Sequence, residues 1–304
     1  MKILIFGASG FIGFPAAQAL IRAGHIVYGQ TRSRENVQRF EAEEIIPIVC
    51  EPESNAWHSL LPTLDVVIEA LGGTAIKQFV AASIREGVAS AAQRFRPSHA
   101  PKLTYIYTSG CWVHGDNRSE IVTDTTPITI PVELVAWRPE QEQTVITHTT
   151  LNGIVVRPVM LYGKGGSIFA SVFKQAKEEG KVTWPGTPGG KLSVIHADDL
   201  ADLYVRLTEK ASIVGGKIFD VSNDVLEDMD AFLKKLSQIA GLEGKYEYRN
   251  PTNIFEVAMG TTVLARPYLG RALLGWHPKK IGLTDGLETY YASYLASVAE
   301  SKSN

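Results

Sequence analysis

The residues of this chain with the clearest chemical purpose form a glycine-rich turn near its start. Residues 3–6 are a near-continuous apolar run, typical of a strand buried on both faces of a parallel sheet. Residues 7–13 read Gly-Ala-Ser-Gly-Phe-Ile-Gly and lead into an alanine-rich amphipathic stretch. Glycines at this spacing permit a tight bend, close approach of backbone to a pyrophosphate and close helix-on-strand packing. Because N–H groups at a helix start hold anions, the pattern predicts a dinucleotide site.

The end of the second predicted strand indicates which dinucleotide fits. An acidic side chain there would accept hydrogen bonds from the adenosine ribose, as NAD requires. Residues 30–34 instead read Gln-Thr-Arg-Ser-Arg, and no carboxylate precedes Glu35. Arg32, Ser33 and Arg34 can cradle a 2′-phosphate, since guanidinium groups match phosphate geometry. We therefore favour NADP(H) over NAD(H) as the cofactor; the alternative is that these arginines belong to a solvated loop.

Composition places the turn in an ordinary folded protein. The chain has 304 residues, of which 45% are hydrophobic and 20% charged, with a net charge of −2, so it can form one or two domains. No basic block favours nucleic acid, and no apolar stretch is long enough to span a membrane. Two cysteines fit a reducing compartment, and the first strand leaves no room for a signal peptide. We expect a cytoplasmic monomer or homodimer that acts on a small molecule.

The elements that must position these residues follow an alternating strand and helix pattern. This pattern predicts an α/β fold, a Rossmann-type doubly wound parallel sheet with a small C-terminal α+β substrate lobe. Later strands are expected at residues 25–30, 45–49, 65–70, 102–108, 153–157 and 217–221. Helices are expected at about 54–61, about 75–95, from near 131, and at 200–209.

Two domains follow from this reading of the chain. We assign residues 1–163 and about 191–222 to the dinucleotide-binding domain. We assign about 164–190 and 223–304 to the small substrate-binding lobe, because such lobes usually shape the substrate cleft.

Four further segments resemble those of a known family. Residues 109–116 read SGCWVHGD, residues 155–163 read VVRPVMLYG, residues 193–201 read SVIHADDLA and residues 273–278 read LLGWHP. With the glycine turn, they make nearly the whole chain similar to the extended short-chain dehydrogenases/reductases, of the NAD-dependent epimerase/dehydratase type. The motifs are specific for the fold and much less so for the activity.

The turn, the strand ends and this resemblance together indicate which residues contact the nucleotide. They are Gly7, Ser9, Gly10, Phe11, Ile12, Gly13, Arg32, Ser33, Arg34, Ala70, Leu71, Gly72, Thr108, Arg138, Pro158, Val159 and Met160.

The chain departs from the family at the catalytic pair. Relatives usually carry a Tyr-x-x-x-Lys motif, in which the tyrosine moves a proton while the lysine lowers its pKa and holds the nicotinamide ribose. Residues 108–161 contain no tyrosine, and residues 103–163 contain no lysine. If Glu142 is the glutamate that often follows the family's lysine, Arg138 stands at the lysine position and Leu134 at the tyrosine position.

Few side chains can replace the missing proton donor, which contributes about 10²–10⁴-fold in rate. Ser109 can hydrogen-bond a substrate carbonyl, beside Gly110 at the family's serine position. Arg138 can bind ribose hydroxyls but is a poor proton donor. His114 has a suitable intrinsic pKa, although it replaces a residue that often packs in relatives. The catalytic candidates are therefore Ser109, His114 and Arg138. Glu142 is expected to pair with Arg138, or alternatively to act as a base.

Three functions remain open at this point. The first is an NADP(H)-binding oxidoreductase or epimerase-like enzyme acting on a small, fairly apolar carbonyl or hydroxyl compound. The second is the same fold performing isomerisation, elimination or cyclisation without redox chemistry, and the third is a non-catalytic NADP(H) sensor. Trp112 and Trp137 can form an aromatic wall over an apolar substrate, or can simply belong to the core. No cluster with metal-ligand spacing is found, so no metal is expected.

Overall fold

A computed structural model describes residues 1–72 and 78–303 of the chain. The expected start of the long helix, near residue 75, lies outside these residues. The strands are β1 (Lys2–Phe6), β2 (Ile26–Thr31), β3 (Ile46–Val49), β4 (Val66–Glu69), β5 (Thr104–Thr108), β6 (Ile121–Val122), β7 (Asn152–Pro158), β8 (Met160–Tyr162), β9 (Thr183–Pro185), β10 (Lys191–Leu192), β11 (Val194–His196), β12 (Ile218–Val221), β13 (Glu227–Asp228), β14 (Glu247–Arg249) and β15 (Leu264–Ala265). The α-helices are α1 (Gly13–Arg22), α2 (Val37–Ala42), α3 (Gln78–Phe95), α4 (Arg138–Ile146), α5 (Ala170–Lys174), α6 (Ala197–Glu209), α7 (Ala211–Val214), α8 (Met229–Ile239), α9 (Ile254–Met259), α10 (Leu269–Leu274) and α11 (Leu287–Ser303).

Seven strands form one parallel sheet in the order β12-β7-β5-β4-β1-β2-β3. This arrangement confirms the predicted Rossmann-type fold. The sequence reason is the apolar strand, since residues 3–6 of β1 are fully buried and helices cover both faces of the sheet. The carboxyl ends of these strands meet at one edge, where α/β proteins bind ligands.

Apolar side chains on the two faces of the sheet form two separate clusters. One cluster packs α1 and α6 against one face, and the other packs α3 and α4 against the opposite face. A third cluster joins β8 with α5, α8 and α11. The predicted boundaries between a nucleotide domain and a substrate lobe stay a prediction.

Two helix predictions differ from the structure in their extent. The segment 54–61 contains only a 3-10 turn at His58–Leu60, because Trp57 packs edge-on against Phe6 and donates its indole N–H to the Pro52 carbonyl. The helix expected from near residue 131 is a 3-10 turn, Glu133–Val135, followed by α4. Pro139 lies in the first turn of α4, where its missing N–H is tolerated.

The backbones of α4 and β7 approach each other at Gly153. A Cβ atom added there would lie 1.9 Å from the Val145 carbonyl oxygen of α4. The glycine therefore sets the distance between the sheet and the helix that carries Arg138 and Glu142.

We expect Gly153→Ala to lower the free energy of unfolding by about 1–3 kcal/mol, because the added methyl group overpacks this contact. The matched control is Gly87→Ala in α3, where an added Cβ meets no atom within 4 Å. That substitution should raise stability by about 0.5–1 kcal/mol, since alanine favours a helix interior. Urea denaturation of both variants measures the difference, and equal stabilities would contradict the described packing.

Candidate functional site

The glycine turn lies at the edge of the sheet between β1 and α1. Gly7 has φ +75°, and a Cβ there would lie 2.8 Å from the Ala70 carbonyl oxygen. A Cβ at Gly13 would lie 2.2 Å from the Gly7 carbonyl oxygen. Ile12 precedes α1 and offers no side-chain cap, and the Phe14 amide donates to the Gly10 carbonyl at 3.0 Å within the turn. These features fit a nucleotide phosphate.

Side chains after β2 border the same turn. Asn36 donates to the Thr31 hydroxyl at 3.0 Å, and the Ser33 hydroxyl accepts the Glu35 amide at 3.2 Å. The Arg39 guanidinium lies 3.5 Å from the centre of the Phe14 ring, and its Nη1 is 3.5 Å from the Ser9 carbonyl oxygen.

The structure therefore brings a further cation to the predicted ribose end of the turn. Arg32 and Arg34 are exposed beside it. Sequence reasoning missed Arg39, whose only signal is its place in the helix after β2. Its guanidinium contacts the Phe14 ring and the Ser9 carbonyl of the turn itself.

The ends of β4 and β7 complete the edge of the site. Ala70 donates its amide to the Phe6 carbonyl, which holds the predicted segment 70–72 against the glycine turn. Val159 donates to the Val221 carbonyl, and a Cβ at Gly110 would lie 3.8 Å from the Pro158 oxygen. The predicted residues 158–160 thus lie beside the end of β5.

Arg138 and Ser109 make separate polar contacts at the end of β5. Arg138 Nη1 donates to the Thr108 carbonyl at 3.0 Å and to the Tyr107 hydroxyl at 3.2 Å. Its Nε is buried and has no partner among the described residues. The Thr108 hydroxyl turns to the opposite face, where it bonds Tyr204. Ser109, in contrast, donates its hydroxyl to Glu142 of α4.

The expected pair between Glu142 and Arg138 is wrong. The structure pairs Glu142 with Arg157 of β7, whose Nε lies 3.1 Å from both carboxylate oxygens and whose Nη2 lies 2.5 Å from Oε2. The reason is position on α4, since Arg138 at its start reaches the end of β5 and Glu142, one turn later, faces β7.

Arg157 also contacts a second carboxylate. Asp220 lies opposite it in the register of β12 and β7, at 3.5 Å from Nη1. His114 Nε2 lies 2.7 Å from the other Asp220 oxygen, and both of these side chains are almost fully buried. His114 is thus separated from Ser109 by three intervening side chains, and no direct contact between the two is present in the described structure.

The comparisons with known proteins agree with the fold. Residues 3–222 match the model of the NAD-dependent epimerase/dehydratase family. The chain belongs to this family. The match spans the glycine turn, the seven-stranded sheet and the ionic side chains around Arg157.

Relatives and solved structures resemble this family member over nearly all of its length. An uncharacterised protein of Saccharomyces cerevisiae is 24% identical, covering 96% of this chain and 99% of the relative. The UDP-glucuronic acid 4-epimerase of Bacillus cereus, solved with UDP-glucuronic acid and NAD, is 20% identical with a TM-score of 0.78, covering 98% and 100% of the two chains. The dTDP-glucose 4,6-dehydratase of Bacillus anthracis, solved with NAD, is 13% identical with a TM-score of 0.79, covering 97% of each.

Leu134, which the sequence analysis predicts at the tyrosine position, has apolar neighbours. Leu134 lies in the 3-10 turn before α4 and packs in a small cluster with Val113, Val132 and Ala258. Trp112 also packs against the cluster around α1 and α6 and the cluster around β8. Its ring lies edge-on to that of Phe255, with 6.2 Å between the ring centroids. The side of the site next to α9 is therefore apolar.

Sequence reasoning missed the buried charges of the site. Arg157, Asp220 and Glu69 each interrupt or end an otherwise apolar strand, which was the available signal, because buried charges require partners. Within the described ranges, no group of three His, Cys, Asp or Glu side chains could hold a metal ion. No helix in the described part of the chain is long and apolar enough to cross a membrane.

Glu69 is a buried carboxyl at the end of β4, beneath the segment that holds Ala70. Burial raises its pKa to about 7, although the Tyr105 hydroxyl, which donates to it, and the Arg138 charge oppose the shift. The folded protein therefore binds a proton here more tightly than the unfolded chain does.

As pH rises from 4.5 to 7, we expect the wild type to lose about 3 kcal/mol of stability relative to Glu69→Gln. The reason is that the unfolded chain releases the Glu69 proton near pH 4.5, whereas the folded protein keeps it until about pH 7. Urea denaturation at pH 4.5, 6 and 8 measures the difference. Glu41→Gln, at an exposed glutamate of α2, is the control and should leave the profile unchanged. A pH-independent difference for Glu69→Gln would be inconsistent with this shift.

Proposed function

We propose that this family member is an NADP(H)-dependent oxidoreductase or epimerase-like enzyme acting on a small, fairly apolar carbonyl or hydroxyl compound. The observation that carries the proposal is that Arg138 donates to the Thr108 carbonyl while the next residue, Ser109, donates to Glu142, at the same carboxyl edge of the sheet as the glycine turn. Family membership and the NAD-bound structural neighbours support a nicotinamide dinucleotide.

The residues of the turn fit such a nucleotide. Residues 7–13 would hold the pyrophosphate, because the two close glycine approaches and the uncapped helix start favour a bound anion. The unpartnered Nε of Arg138 gives a donor for ribose hydroxyls at the lysine position. The bound nucleotide would supply or accept a hydride, while Ser109 interacts with the substrate oxygen.

The preference for NADP(H) rests on charge after β2. The three predicted residues 32–34 and the newly located Arg39 contribute three guanidinium groups, and no carboxylate lies within residues 30–34. A 2′-phosphate favours such an environment, because guanidinium groups donate several hydrogen bonds to phosphate oxygens. Asn36 adds an amide donor beside Thr31.

The proposed apolar character of the substrate rests on the apolar side chains around Trp112. Trp112, Leu134 and Phe255 contribute apolar surface on the side of the site next to α9. We further propose a cytoplasmic enzyme whose partner is a small molecule rather than nucleic acid or membrane, supported by the near-zero net charge and by two free cysteines.

The direct test follows the absorbance of NADPH with benzaldehyde and cyclohexanone, with pyruvate as a charged carbonyl for comparison. Oxidation of NADPH with the apolar carbonyls, and not with pyruvate, is the expected result. Turnover of a compound without a change in nicotinamide absorbance would favour non-redox chemistry. Tight NADPH binding without turnover of any compound would favour a sensor.

Arg32→Asp is expected to weaken NADPH binding by about 10–100-fold, because a carboxylate replaces a guanidinium beside the 2′-phosphate. NADH binding should change less than threefold, since NADH lacks that phosphate. Calorimetric titration with both nucleotides measures the two affinities. Arg22→Asp, at the exposed end of α1, is the control. Equal losses for NADPH and NADH would remove Arg32 from phosphate recognition.

Arg138→Ala is expected to weaken both nucleotides by about 10-fold or more, because a charged hydrogen-bond donor to the ribose is lost. Arg138→Lys should recover most of the affinity, since lysine keeps the charge and a donor. The control is Arg94→Ala at the exposed end of α3. A dissociation constant like that of the wild type in Arg138→Ala would show that the alignment of α4 with the family's catalytic helix is wrong.

A further inference from the structure

The hydroxyl of Ser109 is oriented by the buried carboxylate of Glu142. Ser109 donates to Glu142 Oε1, and Glu142 accepts its other hydrogen bonds from Arg157. Since the hydroxyl proton points to Glu142, the lone pairs of Oγ are left to accept a proton from a ligand.

Of Ser109 and Glu142, only Ser109 is accessible from outside the protein. Ser109 is 8% exposed, at the carboxyl end of β5, whereas Glu142 is 0% exposed. In the described structure the polar contacts of Glu142 are Ser109 and Arg157, and a guanidinium does not release its proton in proteins. A proton that reaches Glu142 must therefore arrive and leave through Ser109.

The surrounding charges can tolerate a proton on Glu142. Arg157 keeps Asp220 as a second counter-ion at 3.5 Å, so neutral Glu142 would not leave the guanidinium unpaired. His114 bonds the other oxygen of Asp220 at 2.7 Å and fixes that carboxylate in place. In the described structure the polar partner of His114 is thus Asp220 and not Ser109.

We propose that Ser109 and Glu142 form a proton relay that replaces the missing tyrosine and lysine, with Ser109 as the catalytic residue and Glu142 as the group that stores the proton. The proposal rests on the proposed function. In alcohol oxidation, the substrate hydroxyl gives its proton to Ser109 Oγ as the Ser109 proton moves to Glu142 Oε1. The two electrons leave with the hydride, which the nicotinamide nucleotide accepts. Carbonyl reduction reverses each transfer, so the proton is returned to the substrate oxygen.

The relay is tested first on the protein without nucleotide, by infrared spectroscopy. Glu142→Gln identifies the carboxylate band of Glu142 by its loss. That band should shift in Ser109→Ala and return in Ser109→Thr, which keeps a hydroxyl. An unshifted band in Ser109→Ala would overturn the proposed contact.

The second test uses NADP⁺ with benzyl alcohol and NADPH with benzaldehyde. Glu142→Gln and Ser109→Ala should each lower kcat by about 10²–10⁴-fold, with NADPH binding within about threefold of the wild type. Ser109→Thr should recover activity in both directions of the reaction. The control is Glu140→Gln. Glu140 is an exposed glutamate of the same helix, and it accepts a hydrogen bond from Gln78.

Three results separate the possible failures. If Glu142→Gln does not fold, because Arg157 loses a partner, the comparison of Ser109→Ala with Ser109→Thr decides. Wild-type kcat in Ser109→Ala, with an active wild type, would overturn the relay while leaving the proposed function intact. A wild-type protein that binds no NADPH and oxidises no alcohol would contradict the proposed function itself.

Discussion

The arrangement of α4 against the strand ends depends on the ion pairs of the buried Arg157 guanidinium. It joins β7 to α4 through Glu142 and to β12 through Asp220. Removing one partner from such a buried ion pair costs about 3–5 kcal/mol, because an uncompensated charge remains in a medium of low polarity. The position of α4, and with it the position of Arg138, is therefore tied to a charge inside the sheet.

This ionic layer occupies one face of the sheet at its carboxyl edge. Alternation along the strands explains it, since Tyr107 and Ser109 of the β5 segment face α4 while Thr108 faces α6. The same alternation directs Arg157 and Asp220 to the α4 side. An apolar wall around Trp112 lies beside this layer. The site thus offers a polar floor for a cofactor and a substrate oxygen, and an apolar wall for the remainder of a substrate.

The sequence was informative where the signal is local. The apolar run of β1 and the spacing of three glycines predicted the turn, and alternating elements predicted a doubly wound parallel sheet. The partners of Glu142 were not predictable in this way, because Arg157 lies 15 residues away and Asp220 lies 63 residues from Arg157. Only the folded sheet brings them together. The four-residue spacing on a helix favoured Arg138 as the partner of Glu142. The structure gives them different partners, because spacing does not indicate which way each side chain turns.

We expect a nucleotide to bind on the opening turn with its reactive ring next to Arg138 and Ser109. A crystal structure of the protein soaked with NADP⁺ is the decisive measurement. It should show phosphates on residues 7–13, the 2′-phosphate against Arg32 and Arg39, and the nicotinamide ribose within hydrogen-bond distance of Arg138. A nucleotide bound elsewhere, or a tyrosine hydroxyl in contact with the nicotinamide end, would contradict it.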